Sequence, residues 1–338
     1  MATLLPVHHL RMRAVVLDRF GSPDVLEVRE VPIPEVLSGQ ARVRVHAAAA
    51  NPFDWHFMRG VPYIARVSGG MGVRAPKRRV LGGDIAGVVD GVGEGATRVR
   101  PGDEVYGFVE FGGFAEAVSA RVDRLAPKPG NLSFEQAAAV PLAALTALQG
   151  LRDVGQIREG QRVLIVGASG GVGTFAVQIA KWAGADVTGV CSIRNAELVR
   201  SIGADRVVDY TRQDVTRSGQ TYDLILQLAG TTSASAFRRI LAPKGRLVLS
   251  SGDSPGRVIG PIGRIVRAVL LSPFVSQTLR PFMAKSKSDD LNFITELIEA
   301  GTIRPIIDRT YPLSETPDAI RYLETGRARG KVVISVSD

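Results

Sequence analysis

The turn Gly167-Ala168-Ser169-Gly170-Gly171-Val172-Gly173 holds the residue types that binding a phosphate ester needs. Gly170 lets backbone come close to a pyrophosphate, Gly173 lets a following helix pack on the preceding strand, and free N–H groups at the helix start face an anion. Before the turn, Val163-Leu164-Ile165-Val166 is an unbroken apolar run, suited to a strand buried on both faces of a parallel sheet. After it, residues 175–182 carry apolar side chains at helical spacing. Strand, glycine turn and helix in that order predict a dinucleotide site drawing on Ser169, Gly170, Gly171, Val172 and Gly173. Alanine at 168 replaces the first glycine of the strict pattern, so a tight turn that binds nothing is the plain alternative. The same stretch also reads Gly-x-Ser-x-Gly, a hydrolase nucleophile pattern that needs a histidine further on. No histidine follows His56, and that chemistry falls away.

A site specific for NAD usually places Asp or Glu at the end of the second strand. Here that end reads Gly189-Val190-Cys191-Ser192-Ile193-Arg194-Asn195, with Asp186 at the opposite end. Ser192 and Arg194 offer a hydroxyl and a guanidinium to a 2′-phosphate, which predicts NADPH as the cofactor. Cys191 has no identifiable base beside it and reads as structural. Leu228-Ala229-Gly230 and Ser250-Ser251-Gly252 follow later strands, at the carboxyl edge where a cofactor crosses a doubly wound sheet, or they are plain turns. On the substrate side Asn51 can hydrogen-bond an oxyanion or the nicotinamide ribose, or simply turn the chain before Pro52.

The elements that position these residues fall into two kinds. Short strands at 14–17, 26–31, 41–47, 85–91, 104–109 and 115–118 are punctuated by Gly/Pro turns and predict a mostly β half. Ser133 with Gln136 three residues on has capping-box spacing for a helix that reaches Pro141, and a second helix covers 143–151. Strands at 163–167, 186–191, 206–208, 224–229 and 246–249 then alternate with helices, which predicts a doubly wound parallel sheet. An amphipathic helix at 259–274 packs against its own chain or a twin subunit, with a membrane surface as the alternative. Helix 291–300, strand 306–311, helix 315–324 and strand 332–336 close the chain.

Composition bounds the rest. With 338 residues the chain has room for two domains, and 45% hydrophobic against 22% charged residues is globular. One cysteine excludes a disulfide framework within a chain and points to a reducing, cytoplasmic setting. The formal charge of +9 is spread along the chain with sparse aromatics, which argues against nucleic acid as a partner. No segment has the ~20 apolar residues of a membrane span.

The order of parts resembles the medium-chain dehydrogenase/reductase superfamily, in its zinc-independent quinone-oxidoreductase-like branch. The resemblance runs from Met12 nearly to the end. It is carried by Asn51-Pro52-Phe53-Asp54-Trp55, Leu81-Gly82-Gly83-Asp84-Ile85-Ala86-Gly87, Gly102-Asp103-Glu104-Val105-Tyr106-Gly107, Ala139-Val140-Pro141 with Leu145-Thr146-Ala147, and the glycine turn. It implies an α/β chain with a β-rich GroES-like N-terminal domain, a doubly wound Rossmann cofactor domain and a C-terminal return. The expected partition is 12–130 with 286–338 for the substrate domain, 131–285 for the NADPH domain, and 1–11 as an extension.

Zinc-dependent relatives carry a histidine-glutamate pair where this chain has Gly83-Asp84, and a cysteine near Asn51. A catalytic zinc needs about three such ligands, so no metal site is expected. His46 and His56 then read as ordinary polar or half-buried residues, and Asp54 as a residue that fixes its loop. Without a metal to polarise an alcohol, reduction of a quinone or an α,β-unsaturated carbonyl by direct hydride transfer becomes the expected activity. The resemblance further implies Thr146 at the nicotinamide, Tyr210 beside the adenosine phosphate, and Tyr63 as a proton donor or an aromatic wall. Trp55 and Phe57 either line an apolar pocket or belong to the core. The expected partners are a small quinone or enone and a second copy of the chain; peripheral membrane contact stays open. A non-catalytic NADPH-binding or membrane-surface partner protein is the alternative function.

Overall fold

A computed structural model describes residues 11–68, 71–250 and 275–337, together with Gly263 and Ser272. Six parallel strands form one sheet in the order Arg206–Asp209, Asp186–Cys191, Arg162–Val166, Tyr222–Gln227, Leu241–Leu249, Thr278–Pro281. Chain order therefore reverses beside the central strand Arg162–Val166, which is the switch point where such sheets bind ligands. Val163, Leu164 and Ile165 are fully buried, because helices cover both faces. The helix Gly171–Trp182 leaves from the carboxyl end of that strand through the glycine turn.

A second sheet has the order Ile307–Pro312, Lys331–Ser335, Gln40–Ala50, Asp84–Val92, Glu104–Phe108, Leu125–Pro127, with Ala117–Arg121 also paired to Gln40–Ala50. Early in Gln40–Ala50 the expected alternation holds: Ala41, Val43 and Val45 are buried and Arg44 is exposed. Its last four residues are all buried, because the C-terminal strand Lys331–Ser335 lies antiparallel to them, Val332 opposite Ala50. A hairpin of Arg11–Leu17 and Leu26–Pro32 adds to this layer through the bridge Ala14 to Ala115. The doubly wound α/β sheet and the GroES-like sheet with its C-terminal return are thus both present.

The two sheets are bound together by the helix Ser288–Glu299. The buried Tyr106 hydroxyl donates to the Leu291 carbonyl at 2.8 Å and lies 2.9 Å from the Thr295 hydroxyl. From the other side, the Gln149 amide donates to Asp290 at 2.8 Å.

Several local expectations change. Ser133 does cap a helix with Gln136, but that helix is Phe134–Ala138, and Pro141 opens the next one, Pro141–Gln149. The strand expected at 246–249 begins at Leu241, which pairs with Tyr222 across the irregular Pro243-Lys244-Gly245. The edge strand Thr278–Pro281 was not anticipated, since four residues with Arg280 and Pro281 carry no strand pattern. Apart from Gly263 and Ser272, the amphipathic helix expected at 259–274 lies outside the described residues, as do Ser251-Gly252 and residues 1–10 of the extension.

Candidate active site

At the glycine turn each glycine has its own physical reason. Gly167 stands at φ +89°, and a Cβ there would lie 2.8 Å from that of Ala229. A Cβ on Gly173 would be 2.1 Å from the Gly167 carbonyl oxygen, so helix and strand approach only with glycine. Gly170 has nothing closer than 3.5 Å on its free side, which leaves backbone open to an approaching group. No side chain caps the helix Gly171–Trp182 at Gly170, so the N–H groups of its first turn stay available to an anion.

A cavity of about 1230 Å³ lies against this turn. It brings together five of the residues singled out in the sequence: Ser169, Gly170, Ser192, Arg194 and Tyr210. Arg194 and Tyr210 are exposed, and Arg194 has no ion-pair partner among the described residues. Gly171, Val172 and Gly173 belong to the same turn but do not line the cavity. Leu228 and Ser250 sit just past two strand ends, their N–H groups donating to Val166 and Gln227 carbonyls at 3.0 and 2.9 Å. Thr146 is buried, and its hydroxyl donates to the Leu142 carbonyl at 2.6 Å, keeping its lone pairs as acceptors. Cys191 is part of the cavity wall, yet burial and the charge of Asp209 push its thiol up to about 11.

Two contributors were not foreseen. The Asn195 amide donates to the Ser169 hydroxyl at 2.9 Å and fixes it in the turn. Across the cavity stand Arg309, Arg327 and Arg329 from the C-terminal return. Open backbone, an uncapped helix start and arginines on both walls suit a nucleotide with several phosphates; these residues fit a nicotinamide dinucleotide.

The second group of residues sits around Asn51. This residue starts the helix Pro52–Arg59, which ends at Gly60 with φ +61°. Asp54 closes the capping box, accepting the Asn51 N–H at 2.8 Å, and also accepts the Gly82 N–H at 3.0 Å. The Asn51 amide nitrogen donates to Asp84 at 3.0 Å and to the Ala49 carbonyl at 3.3 Å. Both of its N–H groups are therefore used inside the protein, which corrects the expectation of an oxyanion donor; Oδ1 keeps an acceptor site. That oxygen accepts from the Lys331 ammonium at 2.6 Å, and Lys331 also donates to Asp84 at 2.9 Å. The other Asp84 oxygen accepts the Leu142 N–H at 2.8 Å, at the start of the helix that bears Thr146. Lys331 was not recognised in the sequence.

Tyr63 is not in the cavity lining. It is 42% exposed, just before the short helix Ile64–Ser68, with the Arg66 guanidinium 4.8 Å over its ring. Phe57 is core, edge-on to Phe111 at 4.7 Å, while the half-buried Trp55 packs at the edge of that core and stacks on His56 at 3.6 Å. His46 stacks on Phe134 at 4.3 Å. Among the described residues no group of three His, Cys, Asp or Glu is placed to hold a metal ion.

Two family models match the chain: the alcohol dehydrogenase GroES-like domain over residues 38–130 and the zinc-binding dehydrogenase family over residues 202–334. The bovine mitochondrial NAD(P)H oxidoreductase RTN4IP1 is 35% identical, with 96% of this chain and 89% of that protein covered. The chloroplastic NADPH-dependent alkenal/one oxidoreductase of Arabidopsis thaliana is 32% identical over 96% of this chain and 79% of its own. Among solved structures, the quinone oxidoreductase from Coxiella burnetii superposes with a TM-score of 0.85 at 30% identity, covering 97% of this chain and all of that one.

Proposed function

The chain belongs to the medium-chain dehydrogenase/reductase superfamily, in its quinone-oxidoreductase-like branch, and from that premise we propose that it is a zinc-free, NADPH-dependent reductase of quinones or α,β-unsaturated carbonyl compounds. The observation that carries this is the cavity in which Ser169 and Gly170 meet Ser192, Arg194 and Tyr210 at the carboxyl edge of the parallel sheet. When bound, the nicotinamide supplies the hydride, and the protein supplies placement and electrostatics.

The first turn of Gly171–Trp182 holds the pyrophosphate through its uncapped N–H groups. Arg194 and Ser192 receive the 2′-phosphate, since the strand Asp186–Cys191 itself carries no carboxylate at its carboxyl end. Thr146 offers lone pairs to the carboxamide, and Leu228 and Ser250 flank the nicotinamide side. Tyr63, which lies outside the lining of the dinucleotide cavity, is proposed from the resemblance alone as a proton donor or an aromatic wall. The half-buried Phe53, against Phe108 and Phe111, supplies apolar surface for a flat conjugated substrate. Names of relatives agree in kind, with a quinone oxidoreductase and an alkenal/one oxidoreductase among them.

The domain partition proposed is 12–130 with 286–338 for substrate and 131–285 for NADPH. The single buried thiol, Cys191, supports a reducing setting such as the cytoplasm, and the homodimer is proposed from the resemblance. The decisive experiment follows cofactor absorbance with NADPH and a panel of enones and ortho-quinones. Turnover on at least one class is expected. Tight NADPH binding with no turnover on any of them would favour a non-catalytic binding protein.

A further inference from the structure

Lys331 is the only lysine or arginine among the described residues that is buried as a whole residue, backbone and side chain together. Its three N–H donors go to the Asn51 carbonyl oxygen at 2.6 Å, to Asp84 at 2.9 Å and to the Ala50 carbonyl at 3.4 Å. Taking an ammonium and a carboxylate out of water is costly, and apolar residues of similar volume often stabilise as well or better. What the ion pair does achieve is orientation. Three contacts fix the Asn51 amide: Lys331 at its oxygen, and Asp84 and the Ala49 carbonyl at its nitrogen.

The stem of Lys331 points to the reason. It lies against the phosphate turn, so close that a Cβ on Gly171 would be 2.9 Å from Lys331 Cδ. The preceding residue, Gly330, donates its N–H to the Ser169 carbonyl at 2.9 Å. One residue therefore touches the start of the cofactor helix with its methylenes and the Asn51 oxygen with its charge. On the reading of the chain as an NADPH-dependent reductase, we propose that Lys331 is a positioning residue: it sets the Asn51 acceptor at a fixed place relative to the turn that grips the cofactor phosphates. All three of its protons are engaged inside the protein, so it acts through Asn51 and not as an acid towards substrate.

The test is the charge-balanced pair Lys331→Met with Asp84→Asn, which leaves no buried charge unpaired, compared with Asn51→Ala and with all three changes together. Folding is checked by circular dichroism and thermal unfolding, and NADPH affinity by quenching of cofactor fluorescence. The folded pair is expected to bind NADPH within about threefold of the parent while kcat falls roughly 30-fold or more, since misplacement near an ångström carries costs of that order. Adding Asn51→Ala to the pair is expected to lower kcat no further, the signature of residues acting as a unit. Lys331→Gln, which keeps an N–H donor towards Asn51, is expected to recover part of the rate. A folded pair with parental kcat, or a loss that adds fully to that of Asn51→Ala, overturns the proposal. So does a pair that fails to fold, because Lys331 is then a structural ion. A parent that neither binds NADPH nor turns over any quinone or enone overturns the reductase reading and the positioning role with it.

Discussion

The Gly330 N–H donates to the Ser169 carbonyl at 2.9 Å, and through this bond the last strand of the substrate-side sheet is fastened to the phosphate turn of the cofactor sheet. Gly330 stands at φ +95°, and a Cβ there would lie 2.2 Å from the Ile306 carbonyl oxygen. Gly330→Ala thus combines left-handed strain with a backbone clash, together about 1–3 kcal/mol. Lower thermal stability and weaker NADPH binding are expected. Gly301→Ala serves as the control, since Gly301 has φ +70° but nothing within 4 Å of a Cβ. Equal effects from the two would show that left-handed strain alone acts and that the clash with the Ile306 carbonyl is relieved at no cost.

Arg194→Ala removes an exposed guanidinium from the cavity wall beside Ser192. A charge-assisted hydrogen bond to phosphate is worth about 1.5–3 kcal/mol, so the NADPH Michaelis constant should rise roughly tenfold or more. The NADH constant should move by no more than about twofold, because NADH has no 2′-phosphate to lose. A parent enzyme that uses the two cofactors equally would sink this assignment.

How far the site could be read from the chain depended on whether its residues were local in sequence. The glycine turn was legible because strand, turn and helix follow one another directly in the chain, and Gly173 answers to a backbone contact inside that stretch, although the neighbour that Gly167 accommodates is the distant Ala229. Ser192 and Arg194 were legible for the same reason, being one strand end. The helix Pro52–Arg59 could have been read too: Asn51, Pro52 and Asp54 have the spacing of an N-cap, N1 and N3. Lys331 could not. In the chain it is a charge at the start of Val332-Val333-Ile334, like many solvated strand ends, and only the pairing of Val332 with Ala50 carries it to Asn51. Arg327 and Arg329 likewise read as a surface loop until the C-terminal return sets them across the cavity.

Cys191 lines the cavity but is buried, and its thiol is pushed up to about 11. Only a small fraction is thiolate near pH 8, so alkylation by iodoacetamide in the native state should be at least about 100-fold slower than for a free thiol. Saturating NADPH should slow it further. Cys191→Ser is expected to leave turnover within about twofold, and a large loss would show that the thiol takes part in the chemistry.

Asp54 sets a pH dependence of stability whose sign is opposite to that of most paired carboxylates. Full burial raises its carboxyl from 3.8 to about 7; the Asn51 and Gly82 N–H groups oppose the shift, Asp84 adds to it and Lys331 opposes it. The folded state thus binds the proton more tightly than the unfolded chain. The associated stability is fully present below about pH 4 and is lost as pH rises towards 7, where it levels off. Three units correspond to about 4 kcal/mol across that window. Asp54→Asn keeps a polar side chain of the same shape and removes the titration. Its unfolding free energy, measured in urea from pH 4.5 to 8, should lie near the parent's in acid, where Asp54 is neutral like the amide, and exceed it increasingly as pH rises, the gap being widest near pH 8. A gap that stays constant over the range would mean that Asp54 is ionised throughout, held so by its two backbone N–H donors.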